Sequence, residues 1–121
     1  MNRHKLLITI MALWVVGLNA AGTISAAKPA FLYSRYFNAK GETRYLPDGT
    51  YQQVLQRLQT QFEVRVSREA LTDASLAGVK VVLIANPSDQ AVRSNPAPHH
   101  FTAADIEVLT RYVRNGGGLI I

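Results

Sequence analysis

Two polar stretches of this 121-residue sequence hold most of the side chains that could bind a ligand. They span residues 34–49 and 86–100, and each is long for a connection inside a small domain, a length that often accompanies binding loops. Amide, hydroxyl, carboxylate and guanidinium groups recognise polar or charged ligands by hydrogen bonding. The candidate ligand-binding residues are polar side chains of these two stretches: Arg35, Asn38, Glu42, Arg44, Asn86 and Ser88.

Some of these candidates allow a structural role as well as a binding one. Asn86 follows a strongly apolar run and precedes Pro87, so its side chain could contact a ligand or cap its own turn. Glu42 and Arg44 could form an exposed ion pair, whereas Arg35 and Arg44 could together hold an anionic ligand by bidentate hydrogen bonds. The sequence leaves both alternatives open.

The adjacent residues His99 and His100 are the candidates for metal binding. Neighbouring side chains point in different directions in most backbones, and only His4 would add a third imidazole. A zinc site needs three or four ligands of suitable geometry, so the sequence predicts no metal site and no cofactor. The glycines Gly116–Gly118 follow a predicted helix and precede a strand, the reverse of the order in a phosphate-binding loop.

The composition suits one small globular domain. Hydrophobic residues make up 48% of the chain and charged residues 17%, proportions that argue against disorder. The formal net charge is +5, and 11 basic and 8 acidic residues remain when Arg3 and Lys5 are left out. The remaining basic residues are scattered, so no nucleic-acid partner is expected. The absence of cysteine excludes disulfides and a thiol nucleophile within these residues.

The start of the sequence has the features of an export signal. Arg3 and Lys5 precede the apolar run 6–18, and residues 25–27 supply the small side chains that a signal peptidase reads. This pattern predicts cleavage before Lys28. The apolar run has 13 residues, fewer than the ~20 of a spanning helix.

The expected organisation follows from that signal. Residues 1–27 form the signal peptide, residues 28–121 form one α/β domain, and the protein is periplasmic or secreted. The alternative is a membrane anchor over residues 6–27, the one membrane contact that the sequence suggests.

Two helices are predicted from their start signals. Thr50 with Gln53, and Thr102 with Asp105, have the spacing of a capping box or a close variant of it. In the second helix Phe101 and Ile106 are spaced as a hydrophobic staple. Three apolar residues of that helix fall on one face: Ile106, Leu109 and Val113.

Strands are predicted where apolar residues alternate or run together: residues 31–37, 62–67, 79–85 and 119–121. Strands that alternate with helices favour a parallel sheet covered on both faces. The simplest fit is a flavodoxin-like α/β fold with strand order 2-1-3-4. In that order the two polar stretches leave neighbouring strands at the same edge. Because the sequence stops inside a strand, we expect the domain to be incomplete at its C-terminus.

The run VVLIANP at residues 81–87, followed by FTAADIEVLTRYVRNGGGLII at residues 101–121, resembles the class I glutamine amidotransferase-like superfamily. Its ThuA-like and DUF4350-type members are the nearest in pattern: a strand ending in an Asn-Pro-like turn, a long loop, a helix that begins at Ser or Thr, a Gly-Gly pair and an apolar strand. The resemblance implies that catalytic members carry their nucleophile just after the strand at residues 119–121. No catalytic residue can therefore be assigned within this sequence.

Three functions are compatible with these features. The first is an exported, non-catalytic domain of the amidotransferase-like type that binds a small polar ligand or a protein partner. The second is the N-terminal fragment of a hydrolase-like enzyme whose nucleophile lies beyond residue 121. The third is an interaction module for another envelope protein. The first is preferred because the residues given contain no catalytic constellation.

Overall fold

The computed structural model describes residues 26–121. The predicted export signal and the alternative membrane anchor lie almost entirely outside these residues. None of the helices within residues 26–121 combines the length and the apolar character that a membrane span requires.

Four parallel strands form one sheet, in the order β2-β1-β3-β4. This arrangement confirms the flavodoxin-like fold and the strand order 2-1-3-4 predicted from the alternation of strands and helices. The strands are β1 (Ala30–Ser34), β2 (Glu63–Ser67), β3 (Val79–Ile84) and β4 (Gly118–Ile120). The predicted first strand is too long at its C-terminal end, because Tyr36 and Phe37 lie in the turn that follows β1.

The helices connect the strands and flank the sheet: α1 (Gln52–Gln61), α2 (Asp73–Leu76) and α3 (Ala103–Arg114). The capping box of α3 is confirmed, since the Thr102 hydroxyl accepts from the Asp105 N–H and the Asp105 carboxylate accepts from the Thr102 N–H. The box predicted at Thr50 is wrong. The helix begins one residue later at the N-cap Tyr51, and the Thr50 hydroxyl accepts instead from the Tyr45 N–H at 2.9 Å.

The core has two parts, one on each face of the sheet. On one face Leu32 and Val82 pack with Leu109 and Tyr112 of α3. On the other face Phe31 and Tyr33 form a smaller cluster with side chains of the α1 region. Successive β1 side chains therefore enter opposite clusters, as the period of a strand requires.

The buried face of α3 differs from the predicted one. Leu109 and Tyr112 are buried, whereas Ile106 is 55% exposed and Val113 is 45% exposed. Tyr112 orients the helix, because its ring lies against Gly117 and its hydroxyl donates to the Val79 carbonyl oxygen at 3.4 Å. The sequence pattern marked the apolar stripe correctly but could not show which part of it meets the sheet.

Candidate functional site

The connections after β1 and β3 meet at the carboxyl edge of the sheet, where the strand order reverses. The side-chain amide of Asn38 donates to the carbonyl oxygens of Ala85 at 2.7 Å and Asn86 at 2.9 Å. Asn86 has a φ of 50°, in the left-handed region that asparagine tolerates better than most residues. The backbone conformation of Asn86 is that of a turn residue, and ligand contact by its side chain stays a prediction.

Ser88 makes a second bridge between the same two connections. Its N–H donates to the Phe37 carbonyl oxygen at 3.0 Å, and its hydroxyl oxygen accepts from the Ala39 N–H at 3.0 Å. Asn38 and Ser88, both predicted as ligand contacts, therefore hold the two loops against each other.

Glu42 and Arg44 form the ion pair that was one of the two sequence alternatives. The Arg44 guanidinium donates through Nε to Oε1 at 3.0 Å and through Nη2 to Oε2 at 2.7 Å. These hydrogen bonds lower the pKa of Glu42 to about 2. The Arg44 side chain is 67% exposed and that of Glu42 is 7% exposed. Arg44 is thus engaged away from Arg35, and the two do not form a joint anion clamp.

A buried tyrosine of β1 fixes the loop that follows this strand. The Tyr33 hydroxyl donates to the Tyr45 carbonyl oxygen, and Tyr45 itself has a φ of 58°. Burial raises the pKa of Tyr33 to about 12, and the nearby Tyr51 adds to that increase. The loop after β1 is therefore tied both to its own strand and to the neighbouring loop.

The predicted residues divide between two cavities at this edge. A cavity of about 270 Å³ is lined by Glu42, Arg44, Asn86 and Ser88. A larger one of about 390 Å³, here called the switch-point cavity, is lined by Arg35 and Asn38. The fold brings all six candidates to one edge, as predicted, but the bridges of Asn38 and Ser88 prevent a single shared pocket.

Arg35 is the most enclosed charge of the switch-point cavity. Its side chain is 13% exposed, and its Nη1 lies 3.6 Å from the Asp48 carboxylate. Its Nε is buried and has no hydrogen-bond partner. The guanidinium therefore has one donor that no protein group satisfies.

Three further residues line the same cavity: Lys40, Arg68 and His99. Arg68 was not among the sequence candidates. It belongs to the connection that follows β2, and this connection begins at the same edge because β2 is the parallel neighbour of β1. The predicted strand order, which places β2 beside β1, could have identified Arg68 as a candidate. The His99 ring stacks on the Tyr36 ring at 4.1 Å between centroids. Within residues 26–121 no group of three His, Asp or Glu side chains is arranged to hold a metal ion.

A second surface feature lies between α3 and the outer strand β4. This α3–β4 groove has a volume of about 630 Å³ and is bordered by apolar side chains, all of them exposed or half-buried except the buried Leu109. Its apolar lining consists of Phe101, Ile106, Leu109, Val113, Leu119 and Ile121. Phe101, the predicted staple residue, also stacks on Phe37 at 4.2 Å and so connects the groove to the core.

A four-stranded parallel sheet with these flanking helices places the chain in the flavodoxin-like class of α/β folds. No family model matches it. Among solved structures, the mmIFT52 N-terminal domain is similar, with a TM-score of 0.59 and 23% sequence identity. The match covers 74% of this chain and 33% of that chain. At this identity the similarity is one of fold.

A curated relative has the corresponding name. The chain is 27% identical over 85 residues to the intraflagellar transport protein 52 homolog of Mus musculus. The matched region is 70% of this chain and 18% of the mouse protein. The chain thus spans less than a fifth of the length of the curated relative that it matches.

These two comparisons contradict the predicted family. They point to the N-terminal domain of an intraflagellar transport protein rather than to the class I glutamine amidotransferase-like superfamily, its ThuA-like members or DUF4350. The physical reason is that a capped helix, a glycine turn and an apolar strand meet the needs of any α/β unit. Such a motif specifies a fold and not a lineage.

The predicted function and location are corrected by the same finding. An exported amidotransferase-like domain, a hydrolase fragment and an envelope module all disagree with similarity to an intraflagellar transport protein, and so does a periplasmic or secreted location. The location rested on a short apolar run after two basic residues. That composition is not unique to export signals.

Proposed function

We propose that this chain is a protein-binding α/β domain that receives an extended apolar segment of a partner polypeptide beside β4. The observation that carries the proposal is the outer edge of β4, which no strand of residues 26–121 covers and which adjoins the α3–β4 groove. An extended segment can add to such an edge by main-chain hydrogen bonds, while its side chains fill an adjoining apolar surface.

The two edges of the sheet differ in how they are protected. On β2, Glu63 and Arg65 form an ion pair at 3.0 Å, and charges of this kind discourage another strand from pairing. On β4 and the residue after it, the sequence Gly-Leu-Ile-Ile carries no charge. Ile120 is 52% exposed and Ile121 is 65% exposed. The β4 edge therefore has the character of a pairing surface.

The groove beside β4 defines the chemistry of the partner. Ile106 and Val113 of α3 are about half exposed and border the groove together with Leu119. A strand whose alternate residues are apolar would place one set of side chains against this surface. Arg114, which also lines the groove, would favour a carboxylate in the partner next to that apolar set.

Similarity to a protein named for intraflagellar transport, and not for a chemical reaction, supports a binding role over a catalytic one. It is also in keeping with a protein as the partner. We assign the partner by its chemistry, an apolar extended segment.

The test places a photo-reactive benzoyl-phenylalanine at Ile120 in the full chain, produced in its own cells. The matched control carries the same group at Val66 on β2, which is 47% exposed against 52% for Ile120. We expect the Ile120 probe to cross-link an apolar segment of another polypeptide, and the Val66 probe not to do so.

A synthetic peptide with the sequence of the cross-linked segment then tests whether that segment pairs with β4. It should slow hydrogen exchange at the amide of β4 that points away from β3, since successive amides of a strand face opposite edges. Ile121→Lys should weaken its binding by about tenfold or more. Equal cross-linking at both positions would contradict the proposal. So would cross-links confined to a second copy or to the same polypeptide, or a peptide that leaves exchange unchanged.

A further inference from the structure

We propose that the switch-point cavity binds a small molecule through its phosphate group. This site lies at the carboxyl edge of the sheet and shares none of its lining residues with the α3–β4 groove. The inference therefore stands apart from the proposed protein-binding function.

The charged side chains that line the cavity are basic. Arg35, Lys40 and Arg68 line it, and no carboxylate does so in the part of the chain that the structure describes. Asp48 and Glu69 line the adjacent cavity between α1 and β2, which Arg35 and Arg68 also line, and the Asp48 carboxylate lies 3.6 Å from the Arg35 guanidinium. With Arg35 partly balanced by Asp48, Lys40 and Arg68 still leave a net positive charge that matches a phosphate monoester, which carries between one and two negative charges near neutral pH. A single carboxylate would leave more of this charge uncompensated.

The most enclosed of these cations has an unused donor. The Nε of Arg35 is buried without a hydrogen-bond partner, and such groups in native structures call for an explanation, often an unobserved water or ion. Among residues 26–121 the one other buried side-chain polar atom without a partner is the hydroxyl of Ser34. Both atoms are at the end of β1, where the strand order reverses. A planar guanidinium can donate to two phosphate oxygens at once.

The walls of the cavity are set before any ligand arrives. Asn38 bonds two carbonyl oxygens of the opposite loop, and Ser88 bonds the Ala39 N–H and the Phe37 carbonyl oxygen. Positioning of this kind lowers the entropic cost of binding. Crevices at the carboxyl ends of strands, beside a reversal of strand order, are the usual ligand sites of open α/β sheets.

The size of the cavity favours an ester over free phosphate. At about 390 Å³ it falls in the range of small-molecule pockets. The stacked rings of Tyr36 and His99 add an apolar wall, against which the organic part of the molecule would lie.

Titration calorimetry of the full chain with O-phosphoserine, inorganic phosphate and serine tests the proposal. We expect O-phosphoserine to bind more tightly than inorganic phosphate, and serine not to bind. Lys40→Gln and Arg68→Gln each remove one exposed cation, so both variants should fold. Each should weaken O-phosphoserine binding by about tenfold.

The control is Arg57→Gln, which makes the same charge change on the exposed surface of α1 and should leave the affinity within about twofold, since a distant exposed charge is screened. Ile120→Lys at the β4 edge should also leave it unchanged. Equal losses in Arg57→Gln and the cavity variants would overturn the proposal, as would the absence of phosphate binding. Tighter binding of a phosphopeptide, or of vesicles containing a phosphoinositide, would overturn the assignment to a small molecule.

Discussion

The side-chain amide of Asn38 donates to two consecutive carbonyl oxygens, those of Ala85 and Asn86, at 2.7 and 2.9 Å. One side chain thus joins the connection after β1 to the two residues that directly follow β3, across 47 and 48 positions of sequence. Without the Asn38 amide, these two partly buried carbonyl oxygens would lose the donor that it supplies. This link holds together the two loops that border the switch-point cavity.

Asn38→Leu is expected to lower the free energy of unfolding by about 2–3 kcal/mol, because it leaves two partly buried carbonyl oxygens without their donor. Urea denaturation followed by circular dichroism measures the change. The matched control is Asn95→Leu, whose amide bonds the nearby Val92 carbonyl oxygen within its own turn. It should cost less, about 1 kcal/mol. Equal losses at the two positions would contradict a special role of the Asn38 link.

Gly117→Ala is expected to destabilise the protein by about 2–3 kcal/mol, as overpacking of a core usually does. A methyl group at this position would overlap the buried ring of Tyr112. Gly116→Ala is the control, since its φ of 89° strains any side chain but the space around it is open. Its cost should be about 1 kcal/mol, from backbone strain alone.

The overlap explanation can be separated from strain by a double-mutant cycle. In a Tyr112→Leu background the additional cost of Gly117→Ala should largely disappear, whereas that of Gly116→Ala should stay the same. Thermal unfolding of the four variants provides the comparison. A cost of Gly117→Ala that does not depend on residue 112 would show that the ring is not the obstacle.

The pair of Glu42 and Arg44 should make stability depend on acid pH. The pKa of Glu42 is lowered to about 2 in the folded protein, below its value of about 4.3 in an unfolded chain. The stabilisation is therefore complete above the unfolded pKa and is lost as the pH falls towards 2. Because the Arg44 side chain is largely exposed, we expect Glu42→Gln to cost only about 0.5–1 kcal/mol at neutral pH.

Urea denaturation of Glu42→Gln and the parent chain from pH 7 to pH 2 measures this dependence. The difference in the free energy of unfolding between the two proteins should decrease from about pH 5 to pH 2. Glu63→Gln is the comparison, since its pair with Arg65 is exposed on both sides. A constant difference between Glu42→Gln and the parent chain over the whole range would mean that ionisation of Glu42 is not involved.

Local features of the sequence were sufficient to predict the fold. The alternation of apolar strands with capped helices led to a parallel sheet in the order 2-1-3-4, and the Thr102 capping box was identified from four residues. These features are local, because a helix cap and the spacing of apolar residues each depend on residues of a single helix or strand. The same locality explains why the family assignment failed, since other lineages satisfy the same local rules.

The sequence by itself also placed the polar loops at one edge of the sheet, because strand order alone determines which connections are neighbours. Only the tertiary structure decided how their side chains are used. Asn38 and Ser88 turn towards the opposite loop, Glu42 captures Arg44, and Arg35 meets Arg68 around a cavity. These choices depend on distances between residues far apart in sequence, and so does the rotation of α3 that exposes Ile106 and buries Tyr112. Packing of whole elements sets those distances, and no pattern within a single element contains them.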